Sequence, residues 1–219
     1  MVKKFSQLLA LVFVLAFLGI SLKVVAYKWI PVSNTPYMRA MAHKAGVSQI
    51  KQSWVPLSSI SAQLPLAVVS SEDNLFVKHN GFSWTAIKRA CLSGKGGGST
   101  ISQQTAKNVF LWNGHSYVRK VIEVLITAEI ELFWGKRRIM EVYLNVIEQG
   151  PGVFGAEASA QAYFHHSAKS LSRNEAALMA VVLPNPIRMK ISNPSSYVRM
   201  RQSQIASLMP KIGKVKYPD

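Results

Sequence analysis

Residues 116–134 read SYVRKVIEVLITAEIELFW, and their spacing decides the fold class. Val118, Val121, Ile122, Leu125, Leu132 and Phe133 recur at helical intervals and make one apolar stripe. On this long helix Glu123 lies four residues after Arg119 and three after Lys120, so the three charged heads can meet on one face. Two readings are open: a surface ion pair, worth little, or a basic pair that holds phosphate or a phosphate-bound cation. Downstream, residues 136–145 give another helix, with Ile139, Met140, Tyr143 and Leu144 apolar and Glu141 turned to a partner. Gly150, Gly152 and Gly155 mark a loop before two further helical stretches, 156–164 and 172–183; in the second, Ser172 and Glu175 have the spacing of a capping box. Pro184, Pro186 and Pro194 interrupt regular helix, and a basic helix runs from Tyr197 to Ile212. Upstream, Phe82 to Leu92 suits a short amphipathic helix. No internal repeat and no strand-like alternation appears, so the expected fold is all-α.

A glycine-rich loop, residues 94–98, runs into a helix that opens on Ser99 and Thr100. Its free amides and dipole make such a start an anion site, though the order of residues is not that of a nucleotide-binding P-loop. Gln103 with Lys107, and Gln104 with Asn108, share helical faces.

Residues 71–81, SEDNLFVKHNG, are where chemistry is expected, because only ten Asp and Glu stand against 26 Lys and Arg and yet Glu72 and Asp73 are adjacent. The pair follows the apolar run 64–69. A carboxylate at the edge of a buried segment is partly desolvated, which raises its basicity and suits it to abstract a hydroxyl proton. The competing reading is a carboxylate pair capping the amides of a helix N-terminus.

The 219 residues allow one domain of moderate size, and 49% hydrophobic content excludes disorder. A net charge of +16 and a pI near 10.1 imply an anionic partner: nucleic acid, a phospholipid surface or a phosphorylated substrate. The lone Cys91 forms no internal disulfide and reads as core. Residues 5–22 are an uncharged run behind Lys3 and Lys4, long enough to cross a bilayer. An uncleaved anchor over residues 1–26 is expected, with a cleaved signal peptide as the competitor. Flanking charge does not set its orientation. Residues 27–53, with Pro31 and Pro36, read as an irregular connector to a domain over 54–219.

Five motifs in order carry a resemblance. They are EDxxFxxHxG from Glu72, GSTISQQxxKN from Gly98, RKxxE from Arg119, KxxIMExYLN from Lys136, and Gly155 through Tyr163 and Phe164 to Glu175, Ala176 and Ala177. Together they resemble the monofunctional biosynthetic peptidoglycan transglycosylases of glycosyltransferase family 51, the family that also forms the polymerase domain of class A penicillin-binding proteins. The resemblance covers about residues 54–210.

It implies a lysozyme-like helical domain with a smaller membrane-proximal lobe behind one N-terminal transmembrane helix. It implies polymerisation of lipid II by inverting transfer into β-1,4 glycan strands, with release of undecaprenyl pyrophosphate. The site would lie outside the bacterial inner membrane on a single-pass chain, its N-terminus cytoplasmic and its catalytic domain periplasmic. Glu72 would be the general base, and Glu123 would act through basic neighbours or a divalent cation, Mg or Mn. No cofactor is obligatory, and Glu123 is the one candidate metal contact. Asp73, Phe76, His79, Ser99, Thr100, Gln103, Gln104, Lys107, Asn108, His115, Arg119, Lys120 and Lys136 would bind substrate. His115 departs from the pattern, since relatives commonly have Arg there and an imidazole lacks the bidentate charged fork. Expected partners are lipid II, the growing lipid-linked strand, the inner membrane and cell-wall synthesis or division proteins, but no nucleic acid. Rival classes are a peptidoglycan-cleaving enzyme of lysozyme type and a membrane-anchored nucleic-acid-binding protein. The first needs no basic cluster, and the second does not predict these motifs in this order.

Overall fold

The computed structural model describes residues 2–93, 98–114 and 116–218. In chain order the helices are α1 (Val2–Ala26), α2 (Pro36–Lys44), α3 (Gln63–Glu72), α4 (Trp84–Ser93), α5 (Ile101–Phe110), α6 (Tyr117–Phe133), α7 (Gly135–Val146), α8 (Ala156–Phe164), α9 (Arg173–Val182) and α10 (Ser196–Ile212). The helix expected from residues 116–134 is therefore α6, and its N-cap is Ser116, whose hydroxyl accepts from the Arg119 amide.

The protein is mostly helical, with one addition. Three short strands, β1 (Lys51–Gln52), β2 (Glu148–Gly150) and β3 (Val153–Phe154), form a small sheet in the order β1-β3-β2. β1 runs parallel to β3, pairing Lys51 with Val153, and β2 runs antiparallel to β3. Strands of two or three residues are too short to display a period of two. That is why the all-α expectation overlooked them.

Two groups of helices pack around a continuous core. α3, α9 and α10 pack on one another, while α5, α6 and α7 form the second group, with α2 against α5 and α1 against α6. α9 is apolar on every side, from Ala176 to Val182, and every one of those residues is buried. A helix hydrophobic all round belongs in a core, and the predicted Ser172 and Glu175 capping box closes its N-terminus.

Residues 27–53, expected to be an irregular connector, lie on the domain. Val32 and Met38 are fully buried. The Thr35 hydroxyl caps α2 by accepting from the Met38 amide and donates to the Asn108 carbonyl of α5 at 2.7 Å. Further along, the Asn145 side chain pairs with both the amide and the carbonyl of Val55. Glu141 accepts from the Leu57 amide at 2.8 Å, so the partner expected for it is this chain's own backbone.

At its C-terminal end α1 meets α6. The Trp134 indole donates to the Val24 carbonyl, and the Ser21 hydroxyl donates to Glu129 Oε1 at 2.7 Å. Leu8, Leu11, Val12, Leu15 and Leu18 of α1 are exposed. Among the described residues no helix is long and apolar enough to cross a membrane, so the expected span is not shown by the structure.

Candidate active site

Glu72 is the last residue of α3, not the first of a helix. The N-terminal capping reading therefore fails for it, and it stands at the negative end of a helix, where a carboxylate is made more basic. Its neighbour Asp73 does cap. Asp73 Oδ2 accepts from the Ile101 amide at the start of α5, 3.1 Å away, so the acidic pair divides its work.

The rest of the first motif holds this turn in place. His79 Nδ1 accepts from the Gly81 amide, which leaves the proton on Nε2 to be donated to Asp73 at 2.9 Å. Phe76 is fully buried beneath the turn. Gly81 has φ +87, and a Cβ there would lie 2.9 Å from Thr127 Cγ2, so only glycine fits. Its carbonyl accepts from the Thr100 hydroxyl at 2.6 Å. Thr100 and Gln103 form a capping box at the head of α5. The Glu72 turn and the head of α5 are thus fixed to one another.

α5 carries the next side chains into a cleft. Gln104 Nε2 donates to Glu72 Oε2 at 2.9 Å, and Gln104 Oε1 accepts from the Tyr143 hydroxyl of α7 at 3.0 Å. Burial holds the Tyr143 phenol well above its ordinary pKa, so it remains a donor. Burial likewise raises the Glu72 pKa; the Gln104 hydrogen bond opposes this, the Asp73 charge adds to it and the Lys107 charge opposes it. Burial is also the main reason that the Lys107 pKa is lowered, against the attraction of Glu123. The Lys107 ammonium lies over the Tyr37 ring, 5.1 Å from its centroid. A carboxyl and an amine whose charged forms are both disfavoured mark a place where charge is held ready for a partner.

On α6, Glu123 is buried, in contact with Lys120 Nζ, and 3.8 Å from Arg119 Nη1. Arg119 is also buried, and its Nε has no partner in the protein. The cluster is therefore no ordinary surface pair. It adjoins Lys107, whose titration senses Glu123, Arg119 and Lys120.

Two hollows lie at the Glu72–Gln104 pair, Glu72 lining one and Gln104 the other. The smaller, about 250 Å³, is lined by Ser70, Glu72, Asn74, Ser83, Ser99 and Thr100 among others. The larger, about 700 Å³, is bounded by Gln104, Lys107, Asn108 and Tyr143, and across from them by Tyr37, Lys44, Glu148, Asn185 and Arg188. Asn108 Oδ1 is buried without a partner. The arrangement offers a base at one end and fixed positive charge at the other.

Not every expected substrate contact opens on these hollows. Lys136 is buried, pairs with Glu131 at 2.6 Å and lies over the Phe76 ring. Glu131 also accepts from Ser102. Phe76, His79 and Gln103 likewise find their partners inside the protein and shape the site, whereas Asp73, bonded to His79 and the Ile101 amide, also lines the smaller hollow. His115 lies outside the described residues, as do residues 94–97 and the side chain of Cys91. Tyr37, Lys44, Glu148, Asn185 and Arg188 were not singled out from the sequence. The scarcity of acids that pointed to Glu72 applies equally to Glu148 and is the signal that was there to use.

A divalent cation finds little to hold it. Among the described residues no group of three or more His, Cys, Asp or Glu gathers, and the Glu123 carboxylate is already engaged by Lys120. Among the described residues the protein by itself forms no metal cage.

The family model described as Transglycosylase matches residues 39–210. A curated relative, the biosynthetic peptidoglycan transglycosylase of Pasteurella multocida (strain Pm70), is 48% identical over 203 residues, covering 87% of this chain and 82% of the relative. The protein of the same name from Bacteroides thetaiotaomicron is 46% identical over 222 residues, 97% of this chain and 90% of the relative. That from Haemophilus influenzae is 53% identical over 171 residues, 75% and 70% respectively.

Proposed function

The chain belongs to the transglycosylase family, and from that premise we propose that its cleft polymerises lipid II into peptidoglycan glycan strands, with Glu72 as the general base. The enzyme is a peptidoglycan glycosyltransferase, and such enzymes act in the cell envelope. The observation that carries the residue assignment is the Glu72 carboxylate, desolvated at a helix C-terminus, open to a hollow and steered by Gln104.

In the proposed step Glu72 takes the proton from the acceptor sugar hydroxyl. The freed oxygen forms its bond to the anomeric carbon of the donor as the bond from that carbon to the pyrophosphate oxygen breaks on the opposite face. The electron pair leaves with the pyrophosphate. Lys107 and Arg119 lie where that charge is neutralised, with Lys120 and Glu123 holding the cationic group in place. Glycosyl pyrophosphates carry a good leaving group, so activating the hydroxyl and meeting the developing charge is most of what the protein must do. A cleaving enzyme of lysozyme type would have no use for this buried cationic end, and the nucleic-acid alternative would have no use for Glu72.

The membrane assignment is also a proposal. What supports it is the uncharged run 5–22 in α1 and a second apolar surface on α6, where Tyr117, Val118, Val121 and Leu132 are exposed. At 1.5 Å per residue the 25 residues of α1 extend roughly 37 Å, against a hydrocarbon core of about 30 Å. The proposed topology is one pass, N-terminus cytoplasmic, catalytic domain outside. Full-length protein should stay with membranes through an alkaline carbonate wash, and release into the supernatant would remove the anchor.

The activity is tested by incubating detergent-solubilised full-length protein with lipid II and resolving the products. Polymer is expected from the wild type, and Glu72→Gln should lower its formation by at least ~10²-fold while lipid II still binds. Near-normal turnover by the variant would take the role of base away from Glu72.

A further inference from the structure

We propose that Glu148 is a substrate contact of this same cleft, one that carries a proton when the pyrophosphate end of the ligand occupies the larger hollow and donates it in a hydrogen bond to a phosphate oxygen. The inference rests on the lipid II reading given above and assigns a residue that the reaction scheme leaves unused.

Glu148 is the first residue of β2 and is only 7% exposed. Its Oε1 is buried with no hydrogen-bond partner, which is a costly state for a carboxyl oxygen unless a ligand completes it. Among the described residues it is the only acid lining the larger hollow, whose bases are Lys44, Lys107 and Arg188. The groups that face it come from several elements. Tyr37 and Lys44 stand on α2, Lys107 on α5, Tyr163 on α8, and Arg188 in the loop after α9, with Arg119 of α6 reaching Tyr37. None of them forms a hydrogen bond with Oε1.

Three bases make the hollow attractive to an anion, and an ionised Glu148 would oppose the anion that they attract. Burial pushes the Glu148 carboxyl up to about 7, even with Lys107 and Lys44 pulling it down. A pyrophosphate entering the hollow brings like charge, which disfavours the carboxylate further. The proton therefore joins Glu148 as the ligand arrives, and the O–H has an acceptor in front of it. The step forms and breaks no covalent bond other than that to the proton, which solvent supplies.

Binding is then linked to the uptake of about one proton above neutral pH. Lipid II in detergent is titrated into full-length protein by calorimetry at pH 8 in two buffers of different ionisation enthalpy, and its affinity is followed from pH 6 to 8.5. In the wild type, proton uptake at pH 8 is expected to approach one, with affinity level at the acid end and weakening towards tenfold per pH unit above about 7. Glu148→Gln, a neutral donor of similar shape, should keep close to the acid-end affinity as pH rises, so that most of the slope is lost. Glu148→Asp should keep a slope. Deprotonation of Lys107 also weakens anion binding as pH rises, and the slope that remains in Glu148→Gln isolates it.

An unchanged slope in Glu148→Gln overturns the proposal. So does weaker binding by that variant at every pH, which would mean that the carboxylate accepts from a hydroxyl or amide. If Glu148→Gln does not fold, the wild-type measurement decides alone, since binding without proton uptake is the overturning result. A wild type that polymerises lipid II yet takes up no proton leaves the reaction standing and removes this inference; a wild type that does not bind lipid II removes both.

Discussion

The amide nitrogen of Gln104 donates to Glu72 Oε2 across 2.9 Å. The Tyr143 hydroxyl occupies the other end of the same amide, so Gln104 can present only its N–H to the carboxylate. Gln104 therefore favours the ionised form of Glu72, against the burial that raises its pKa. Removing the donor in Gln104→Leu should move the acidic limb of the pH profile of kcat/KM to higher pH. Near pH 7 the rate should fall roughly tenfold, the scale of a hydrogen bond to a charged group. An acidic limb that stays in place would show that this bond does not tune the base.

The raised pKa of Glu72 also predicts a stability effect. A carboxyl whose pKa is higher folded than unfolded destabilises the fold once pH passes the unfolded value, and the loss is complete above the folded value. Glu72→Gln should therefore melt higher than wild type near pH 7.5, and the two should converge in acid, where both carry a neutral side chain. Equal melting temperatures at both ends would mean that ionised Glu72 is not strained in the resting enzyme.

Asp73 should behave in the opposite way. It accepts from the Ile101 amide and from His79, both of which lose their partner in Asp73→Ala. Each buried donor left unpaired costs about 1–3 kcal/mol. At 2–4 °C per kcal/mol for a chain of this size, the melting temperature should drop by at least about 4 °C. Activity should be lost with it, because the Glu72 turn is fixed to α5 through these bonds. A fully stable but inactive Asp73→Ala would make Asp73 a substrate contact instead.

The helices were legible because each signal is local. The stripe on residues 117–133, the Ser172 and Glu175 capping box and the hydroxyl start of α5 depend on neighbours within a turn or two. What was not legible depends on distance in the chain. Nothing near Asp73 announces that it caps a helix starting 28 positions later, and nothing near Lys136 tells that Glu131 will claim it. Motif spacing marked both as functional without distinguishing the side chains that touch the hollows from those that hold the walls. Glu148 and Lys44 were missed for the same reason. They meet only because β2 and α2 are brought to the wall of one hollow.

Lys107 offers the sharpest separation of function from stability. Burial lowers its pKa, so the folded protein disfavours the very charge that the leaving pyrophosphate would call on. A base whose pKa is depressed by folding costs stability at every pH below its folded value. Lys107→Met should therefore fold with an unchanged or higher melting temperature at pH 7 while polymerisation fails. If the ammonium meets charge that builds only as the pyrophosphate departs, kcat should fall much further than KM rises. The acidic limb should also move to higher pH, since Lys107 helps to keep Glu72 ionised. Lys107→Arg should restore the charge but not its position over Tyr37, and recover only part of the rate. A Lys107→Met enzyme in which KM rises and kcat is preserved would place Lys107 in ground-state binding and leave the departing charge to Arg119 and Lys120.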